Sequence, residues 1–167
     1  SGYYVGIAGY PNSGKSTLFN ALLNRERAIV SNIPGTTRDY LEESIYKNGN
    51  KIIIADTAGI RDTIDTIEIE GIKFVESVIE KSNLVIVLND STISLNNSQK
   101  LLKSIKDKYP EKDVLLVQNK IDLSQIENIS DICISAKNNI GIEELKDLIF
   151  KKSYESICGS SDVLINN

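Results

Sequence analysis

The stretch Gly9-Tyr-Pro-Asn-Ser-Gly14-Lys15-Ser16 decides the fold of this chain. The apolar run at residues 3–8 before it predicts a buried strand, and the amphipathic run at residues 16–23 after it predicts a helix. A glycine-rich loop that ends in Lys-Ser between a strand and a helix is the pattern of a phosphate-binding P-loop. Average composition would produce this pattern by chance in fewer than about one chain in a hundred of this length.

The residues of this loop suit phosphate and magnesium chemistry. Gly9 and Gly14 permit a tight backbone path, and the N–H groups of the loop and helix N-terminus would face the phosphates. Lys15 would reach the β- and γ-phosphates, and the Ser16 hydroxyl would ligate Mg²⁺. The expected phosphate-binding residues are Asn12, Ser13, Gly14, Lys15, Ser16 and Thr17.

The rest of the chain alternates apolar and amphipathic segments. Asn48-Gly49 between residues 40–46 and 51–55 predicts a β-hairpin, and helical periodicity extends over residues 68–80. Further strands are expected at residues 84–88, 114–117 and 132–134, with helices at 98–108 and 142–151. This alternation predicts an α/β fold with a mostly parallel six-stranded sheet, one antiparallel edge strand and helices on both faces.

Two polar motifs follow predicted strands, at the carboxyl ends where α/β sheets bind ligands. In Asn119-Lys-Ile-Asp122, the Asp122 carboxylate can accept the N1–H and the N2 amino group of guanine, a donor pair that adenine lacks. Asn119 would tie the loops together, and the Lys120 stem would lie along the base. The second motif, which can offer a backbone N–H to guanine O6, consists of Ser135, Ala136 and Lys137. Together they predict a guanine-nucleotide site and disfavour an ATP-dependent P-loop kinase.

Two long loops, at residues 24–39 and 56–66, interrupt the regular elements, and loops of this length are uncommon unless functional. Asp56 could hold Mg²⁺, and the Gly59 N–H could contact the γ-phosphate. Thr37 could complete the Mg²⁺ shell with Ser16 and Asp56 when a γ-phosphate is bound, as in the switch loops of GTPases. The residues themselves do not choose between that switch and a solvated loop.

A side chain that could orient water is missing from the expected place in the second loop. A Gln often follows the glycine of this motif, but Ile60 stands there. Arg38 and Arg61 lie in the two loops and could meet phosphates or a partner, although solvated loop arginines are more common. The chain has no histidine, which excludes histidine bases, triads and metal sites.

Composition narrows the class further. With 167 residues, 41% hydrophobic and 25% charged, the chain suits one globular domain. A net charge of −4 argues against a large nucleic-acid surface, and no run approaches the ~20 apolar residues of a membrane span. Cys133 is expected to be a small buried hydrophobe, and Cys158 lies in polar sequence. Two unpatterned cysteines indicate neither zinc nor disulfides, which suits the cytoplasm.

Taken together, these motifs, with Pro34-Gly-Thr-Thr-Arg-Asp39 and Asp56-Thr-Ala-Gly-Ile-Arg61, resemble those of the Era-like bacterial GTPases. The stretch Thr63-Ile-Asp65-Thr-Ile-Glu68-Ile-Glu-Gly71-Ile72 narrows the resemblance to the MnmE (TrmE) family of tRNA-modification GTPases. The resemblance implies a P-loop GTPase (Ras-like) fold. It further implies that residues 1–152 form a GTP-binding (G) domain. Residues 153–167 look like the return into the helical domain that surrounds the G domain in that family.

The resemblance also implies how GTP is hydrolysed. In that family the G domains dimerise across their nucleotide faces, and a potassium ion takes the place of an arginine finger. Asn12 matches the side-chain ligand of that ion, and Ser31 and Ile33 lie in the loop whose carbonyls supply further ligands. Glu68 matches the acidic residue that orients the attacking water, and Gly59 is the other expected catalytic residue. The expected cofactors are Mg²⁺ and K⁺, with GTP or GDP bound.

The implied partner is MnmG (GidA), a flavoprotein with which full-length members of the family modify the wobble uridine of tRNA. This domain would act on tRNA only indirectly. It is expected in the cytoplasm, with no membrane partner. A ribosome-assembly GTPase of the Der/Era type is a second interpretation, which the Glu68-Gly71-Ile72 pattern disfavours. A third is a GTP-binding interaction module with little hydrolysis, suggested by Ile60.

Overall fold

The computed structural model describes residues 2–24, 41–56, 66–69, 72–123 and 132–165. Eight strands are defined within these ranges: β1 (Tyr3–Gly9), β2 (Leu41–Lys47), β3 (Asn50–Asp56), β4 (Thr66–Ile69), β5 (Ile72–Val75), β6 (Leu84–Asp90), β7 (Asp113–Asn119) and β8 (Ile132–Cys133). The helices are α1 (Lys15–Leu22), α2 (Glu76–Lys81), α3 (Asn96–Lys108) and α4 (Ile142–Ile165), and a 3₁₀ turn covers Ile121–Leu123.

Six of these strands form one sheet in the order β2-β3-β1-β6-β7-β8. β2 pairs with β3 antiparallel, from Leu41 opposite Asp56 to Lys47 opposite Asn50, and the other neighbouring pairs are parallel. Asn48, with φ 52°, and Gly49, with φ 79°, lie between β2 and β3, as a tight hairpin turn requires. The predicted mostly parallel six-stranded sheet with one antiparallel edge strand is therefore confirmed.

Helices cover both faces of this sheet, also as predicted. On one face, α1 and α4 pack against β1 and β3, with Phe19, Leu145 and Ile149 in a shared buried cluster. On the other face, α2 and α3 contribute Ile79 and Leu101 to a second buried cluster. All seven residues of β1 are buried because this strand lies in the centre of the sheet with a helical layer on each side.

The helix predicted over residues 68–80 is wrong in its first half. Residues Thr66–Ile69 and Ile72–Val75 form an antiparallel pair of strands, in which Glu68 lies opposite Lys73, and the helix α2 begins only at Glu76. Ile72 and Phe74 are both fully buried. Two buried residues separated by one position follow the period of a strand. Both side chains lie in the buried cluster that also contains residues of β6 and α3.

Two further expectations differ from the structure. The last helix, predicted to end at residue 151, continues to Ile165. Cys133 is only half-buried, because the short strand β8 lies at the edge of the sheet. Among the described residues, no helix is both long and apolar enough to cross a membrane.

The burial of Phe74 gives a test of the unexpected hairpin. Phe74→Ala removes a fully buried aromatic side chain and should lower the free energy of unfolding by about 3–5 kcal/mol, as measured by urea denaturation. The control Ile93→Ala truncates a side chain that is 53% exposed and should change stability by less than about 0.5 kcal/mol. Equal effects of the two variants would contradict the packing of β5 into the core.

Candidate nucleotide-binding site

The carboxyl ends of five parallel strands meet at one edge of the sheet. β1, β3, β6 and β7 end there at Gly9, Asp56, Asp90 and Asn119, and the short strand β8 ends beside them. The sequence-predicted motifs follow β1, β3, β7 and β8, so the parallel sheet places their attachment points at the same edge.

The loop after β1 approaches α1 with an unusual backbone. Asn12 has a φ of 66° and Gly14 a φ of 99°, and the Ser13 N–H donates to the Tyr10 carbonyl at 3.1 Å. Gly14 occupies the N-cap position of α1 and carries no side chain that could cap the first turn. The N–H groups of that turn therefore remain available to an anionic ligand.

Lys15 is the first residue of α1 and bends back over this loop. Its Nζ donates to the carbonyls of Gly9 at 2.9 Å and Tyr10 at 3.0 Å. Burial lowers the pKa of Lys15, and the nearby Asp56 carboxylate offsets part of that shift. Asp56 is itself fully buried at the end of β3, whereas Lys15 is partly buried, so a buried carboxylate lies near the ammonium over the loop.

The donor set at this position fits a magnesium ion. Ser16 and Thr17 are exposed in the first turn of α1. The Asp56 carboxylate lies at the end of β3, the strand that pairs with β1. Mg²⁺ prefers oxygen ligands and commonly takes one or two from the protein together with substrate phosphates. A hydroxyl from Ser16 and a carboxylate from Asp56 are ligands of that kind.

The side chain of Asn119 joins three loops. Its Nδ2 donates to the Ser13 carbonyl at 2.9 Å, and its Oδ1 accepts from the Ala136 N–H at 3.0 Å. Asn119 is 3% exposed, so these bonds form away from water. A Cβ on Gly14 would collide with the Asn119 Nδ2, and the left-handed φ of 99° also favours glycine there. The expectation that Asn119 ties the loops together is confirmed.

Lys120 makes a second connection to the P-loop. Its Nζ donates to the Asn12 carbonyl at 2.6 Å and forms an ion pair with Asp90 at 2.8 Å. Its backbone is left-handed, with a φ of 64°. The loop after β7 is thus fixed to the P-loop at two successive residues, 119 and 120.

The remaining guanine-motif residues lie beside these contacts. Asp122 is exposed in the 3₁₀ turn, and its carboxylate is accessible to a ligand. Ser135 and Ala136 are buried, whereas Lys137 is exposed. Ser135 and Ile140 exchange both backbone hydrogen bonds at 3.0 Å, which closes a tight turn between them.

Two groups of polar residues were not predicted from the sequence. Asp90, at the end of β6, accepts from Lys120 and from the N–H and hydroxyl of Thr92. Behind it, the buried Asn89 amide donates to Gln118 at 2.8 Å and accepts from Ser98 at 2.7 Å. The available signal was a polar pair, Asn89-Asp90, at the end of an otherwise apolar strand.

Several predicted site residues lie outside the described residues. These are Ser31, Ile33, Thr37 and Gly59, together with Ile60, Arg38 and Arg61. Glu68 is described: it is exposed on β4. It therefore does not belong to the first turn of a helix, and a favourable interaction with a helix dipole is not the reason for an acidic residue there.

A P-loop held against an Asn-Lys-x-Asp loop at the carboxyl edge of this sheet defines a guanine-nucleotide-hydrolysing P-loop domain. The chain belongs to the family described as "50S ribosome-binding GTPase", which matches residues 4–120. It is accordingly a GTP hydrolase of that family.

Curated relatives support the narrower resemblance that the motifs predicted. The tRNA modification GTPase MnmE of Christiangramia forsetii is 38% identical over 190 aligned positions, which cover 100% of this chain and 40% of that protein. The MnmE of Finegoldia magna is 44% identical over 170 positions, covering 96% of this chain and 37% of that protein. The predicted resemblance to the MnmE G domain is confirmed, and the chain spans about two fifths of the length of these relatives.

Solved structures agree with the fold. Era in complex with MgGDPNP and a segment of 16S ribosomal RNA aligns with a TM-score of 0.66 at 26% identity, covering 90% of this chain and 56% of that one. The G domain of the T. maritima FeoB iron transporter aligns with a TM-score of 0.62 at 28% identity, covering 91% of this chain and 99% of that one. The predicted P-loop GTPase fold is confirmed.

The buried Asn119 amide gives a test of this arrangement. Asn119→Ala leaves the Ser13 carbonyl and the Ala136 N–H without their shared partner. We expect the free energy of unfolding without nucleotide to fall by about 1–3 kcal/mol, because buried polar groups are costly when unsatisfied. The matched control is Asn138→Ala, which truncates an exposed amide and should change urea-denaturation stability by less than about 0.5 kcal/mol. Equal stability of both variants would contradict the structural role of Asn119.

Proposed function

We propose that this domain binds GTP between the P-loop and the Asn119–Asp122 loop, hydrolyses it with Mg²⁺, and is stimulated by potassium when two such domains pair. The observation that carries the proposal is the direct connection of the two loops: Asn119 binds the Ser13 carbonyl and Lys120 binds the Asn12 carbonyl. These bonds set the spacing between a site for phosphates and a site for a base, which a nucleotide must bridge.

The phosphate side of the proposed site uses the start of α1. The backbone N–H groups of Gly14 and of the first turn of α1, up to Thr17, would donate to phosphate oxygens. Lys15, whose Nζ already lies over the loop carbonyls, would contribute a charge-assisted bond to the phosphates. Ser16, Asp56 and Thr37 would hold Mg²⁺. When bound, this ion neutralises charge on the β- and γ-phosphates.

The base side of the proposed site depends on Asp122. Its exposed carboxylate would accept both hydrogens on the N1 and N2 edge of guanine. The Lys120 stem would cover the base while its ammonium stays with Asp90 and the Asn12 carbonyl. The backbone turn formed by Ser135, Ala136 and Lys137 would donate to guanine O6.

The proposed roles in hydrolysis follow from the resemblance to the MnmE family. Ile60 cannot orient water, so Glu68 would position the attacking water through a second water, and the Gly59 N–H would contact the γ-phosphate. Asn12 would offer its side-chain oxygen, and Ser31 and Ile33 their carbonyls, to a potassium ion. A cation there would stabilise charge that develops on the phosphates as the bond breaks. Pairing of two domains would hold the surrounding loop in place.

For the whole protein, we propose the role that its curated relatives carry in their name, tRNA modification. The chain covers about two fifths of those relatives, so residues 153–167 would lead into a helical domain of the full-length protein. There, association with the flavoprotein MnmG and modification of the wobble uridine of tRNA would take place in the cytoplasm. This domain would contact tRNA only indirectly.

Base selectivity should follow Asp122. The parent chain should bind GDP at least about a hundredfold more tightly than ADP, because the carboxylate matches only the guanine donor pair. Asp122→Asn should lose that preference and gain affinity for xanthosine diphosphate, whose edge presents an acceptor to the new amide donor. Isothermal titration calorimetry measures all three. The control Asp107→Asn removes an exposed carboxylate on α3 and should leave the preference intact; equal ADP and GDP affinity in the parent would exclude this role for Asp122.

Potassium should activate hydrolysis by pairing two domains. In K⁺, but not in Na⁺, GDP with aluminium fluoride should convert monomer to dimer in light scattering, and GTP turnover should rise at least about tenfold. Asn12→Ala should lose both responses while keeping most of its GDP affinity. Glu68→Ala should still dimerise but should lose turnover, because it acts on the water alone.

A matched control accounts for the backbone strain that Asn12→Ala introduces. Asn12 has a left-handed φ of 66°, and so does the exposed Asn48 at 52°. Asn48→Ala imposes the same kind of strain in the turn between β2 and β3 and should keep the full potassium response. A parent that turns over GTP equally in both salts as a monomer would remove the ion and the dimer from the mechanism; negligible turnover in both would favour an interaction module.

A further inference from the structure

We propose that Asp90 is a positioning residue for nucleotide binding, which holds the Lys120 ammonium on the Asn12 carbonyl and thereby keeps the base loop and the P-loop at one spacing. The inference rests on the proposed binding of a guanine nucleotide between these loops. It does not depend on potassium, on pairing or on hydrolysis.

The Lys120 ammonium lies between two acceptors. Its Nζ lies 2.6 Å from the Asn12 carbonyl and 2.8 Å from the Asp90 Oδ2. The side chains of Lys120 and Asp90 are 30% and 15% exposed, so solvent screens this ion pair less than it would at an open surface. The carbonyl alone is a neutral acceptor, and a lysine stem has several rotatable bonds. The Asp90 charge therefore decides where the ammonium stays.

Asp90 is also held by bonds that do not involve Lys120. Its Oδ1 accepts from the Thr92 N–H at 2.9 Å and from the Thr92 hydroxyl at 2.6 Å, which leaves Oδ2 directed at Lys120. Burial alone would raise the pKa of Asp90, but the bonds from Lys120 and Thr92 hold that pKa below its usual value. The carboxylate is therefore charged at neutral pH.

The contact between Asp90, Lys120 and Asn12 lies where a nucleotide would span both loops. β6 supplies Asp90, the residue after β7 is Lys120, and the loop after β1 contains Asn12, so the contact links three neighbouring strands of the sheet. A nucleotide whose base lies along the Lys120 stem and whose phosphates lie on the P-loop needs these loops at a fixed separation. Loss of the Asp90 charge should loosen that separation, and the main effect should be faster release of the nucleotide.

A double-mutant cycle tests this role. In sodium buffer, Asp90→Asn should accelerate GDP dissociation and raise the Kd for GDP by about tenfold, since it removes one charge-assisted bond. In a Lys120→Met background the same change should have little further effect, because Asp90 acts through the ammonium. Stopped-flow release of a fluorescent GDP and thermal unfolding of the same samples are the measurements. Asp107→Asn, an exposed charge change on α3, should behave as the parent.

The outcomes separate the inference from the function on which it rests. An Asp90→Asn release rate equal to that of Asp107→Asn, or effects that add fully with Lys120→Met, would overturn the positioning role while leaving GDP binding established. A parent that binds no GDP would overturn both. If Asp90→Asn does not fold, Thr92→Val removes only the hydroxyl bond to Asp90 and should speed release by about threefold; an unchanged rate in that variant would also overturn the role.

Discussion

The buried side-chain amide of Asn119 holds together the loops at the carboxyl edge of the sheet. Asn119 donates to a carbonyl that lies 106 positions earlier in the chain and accepts from an N–H that lies 17 positions later. The Asn119 amide carries a donor and an acceptor on one short side chain, whereas an aspartate carboxylate in its place would lack the donor. A Cβ at position 14 would collide with this amide, and the φ of 99° at Gly14 disfavours a side chain as well. The central place of β1 and β6 between β3 and β7 brings these distant residues together.

The sequence was most informative where one residue type has one physical use. The P-loop, the hairpin at Asn48-Gly49 and the Asn119–Asp122 loop could be identified because left-handed backbone, phosphate approach and guanine recognition each demand particular residues. Continuous apolar strands such as β1 and β6 were equally clear, since burial on both faces requires them. These features were sufficient to predict the sheet and its antiparallel edge strand.

Prediction failed where tertiary contacts decide between similar patterns. The apolar residues from position 67 to 79 fit a helical period as well as a strand period, and short runs of this kind are ambiguous. The deep burial of Ile72 and Phe74 selects the strand. Asp90 and the Asn89–Gln118–Ser98 group were missed for another reason: each is a common polar residue, and only the fold reveals its partners. The length of α4 was also missed, because the polar composition after residue 152 predicted an end that the helix does not have.

The length of α4 gives the domain a mechanical property. This helix begins one residue after Gly141, close to the Ser135–Ile140 turn beside the guanine motif, and runs for 24 residues. A straight helix of that length extends about 36 Å, and a tilt of about 10° at its start displaces its far end by about 6 Å. A small rearrangement of the Ser135–Ile140 turn that tilted the start of α4 would therefore be amplified at the far end of the helix. The direction of the chain at Ile165 would thus report the conformation of a turn more than twenty residues earlier.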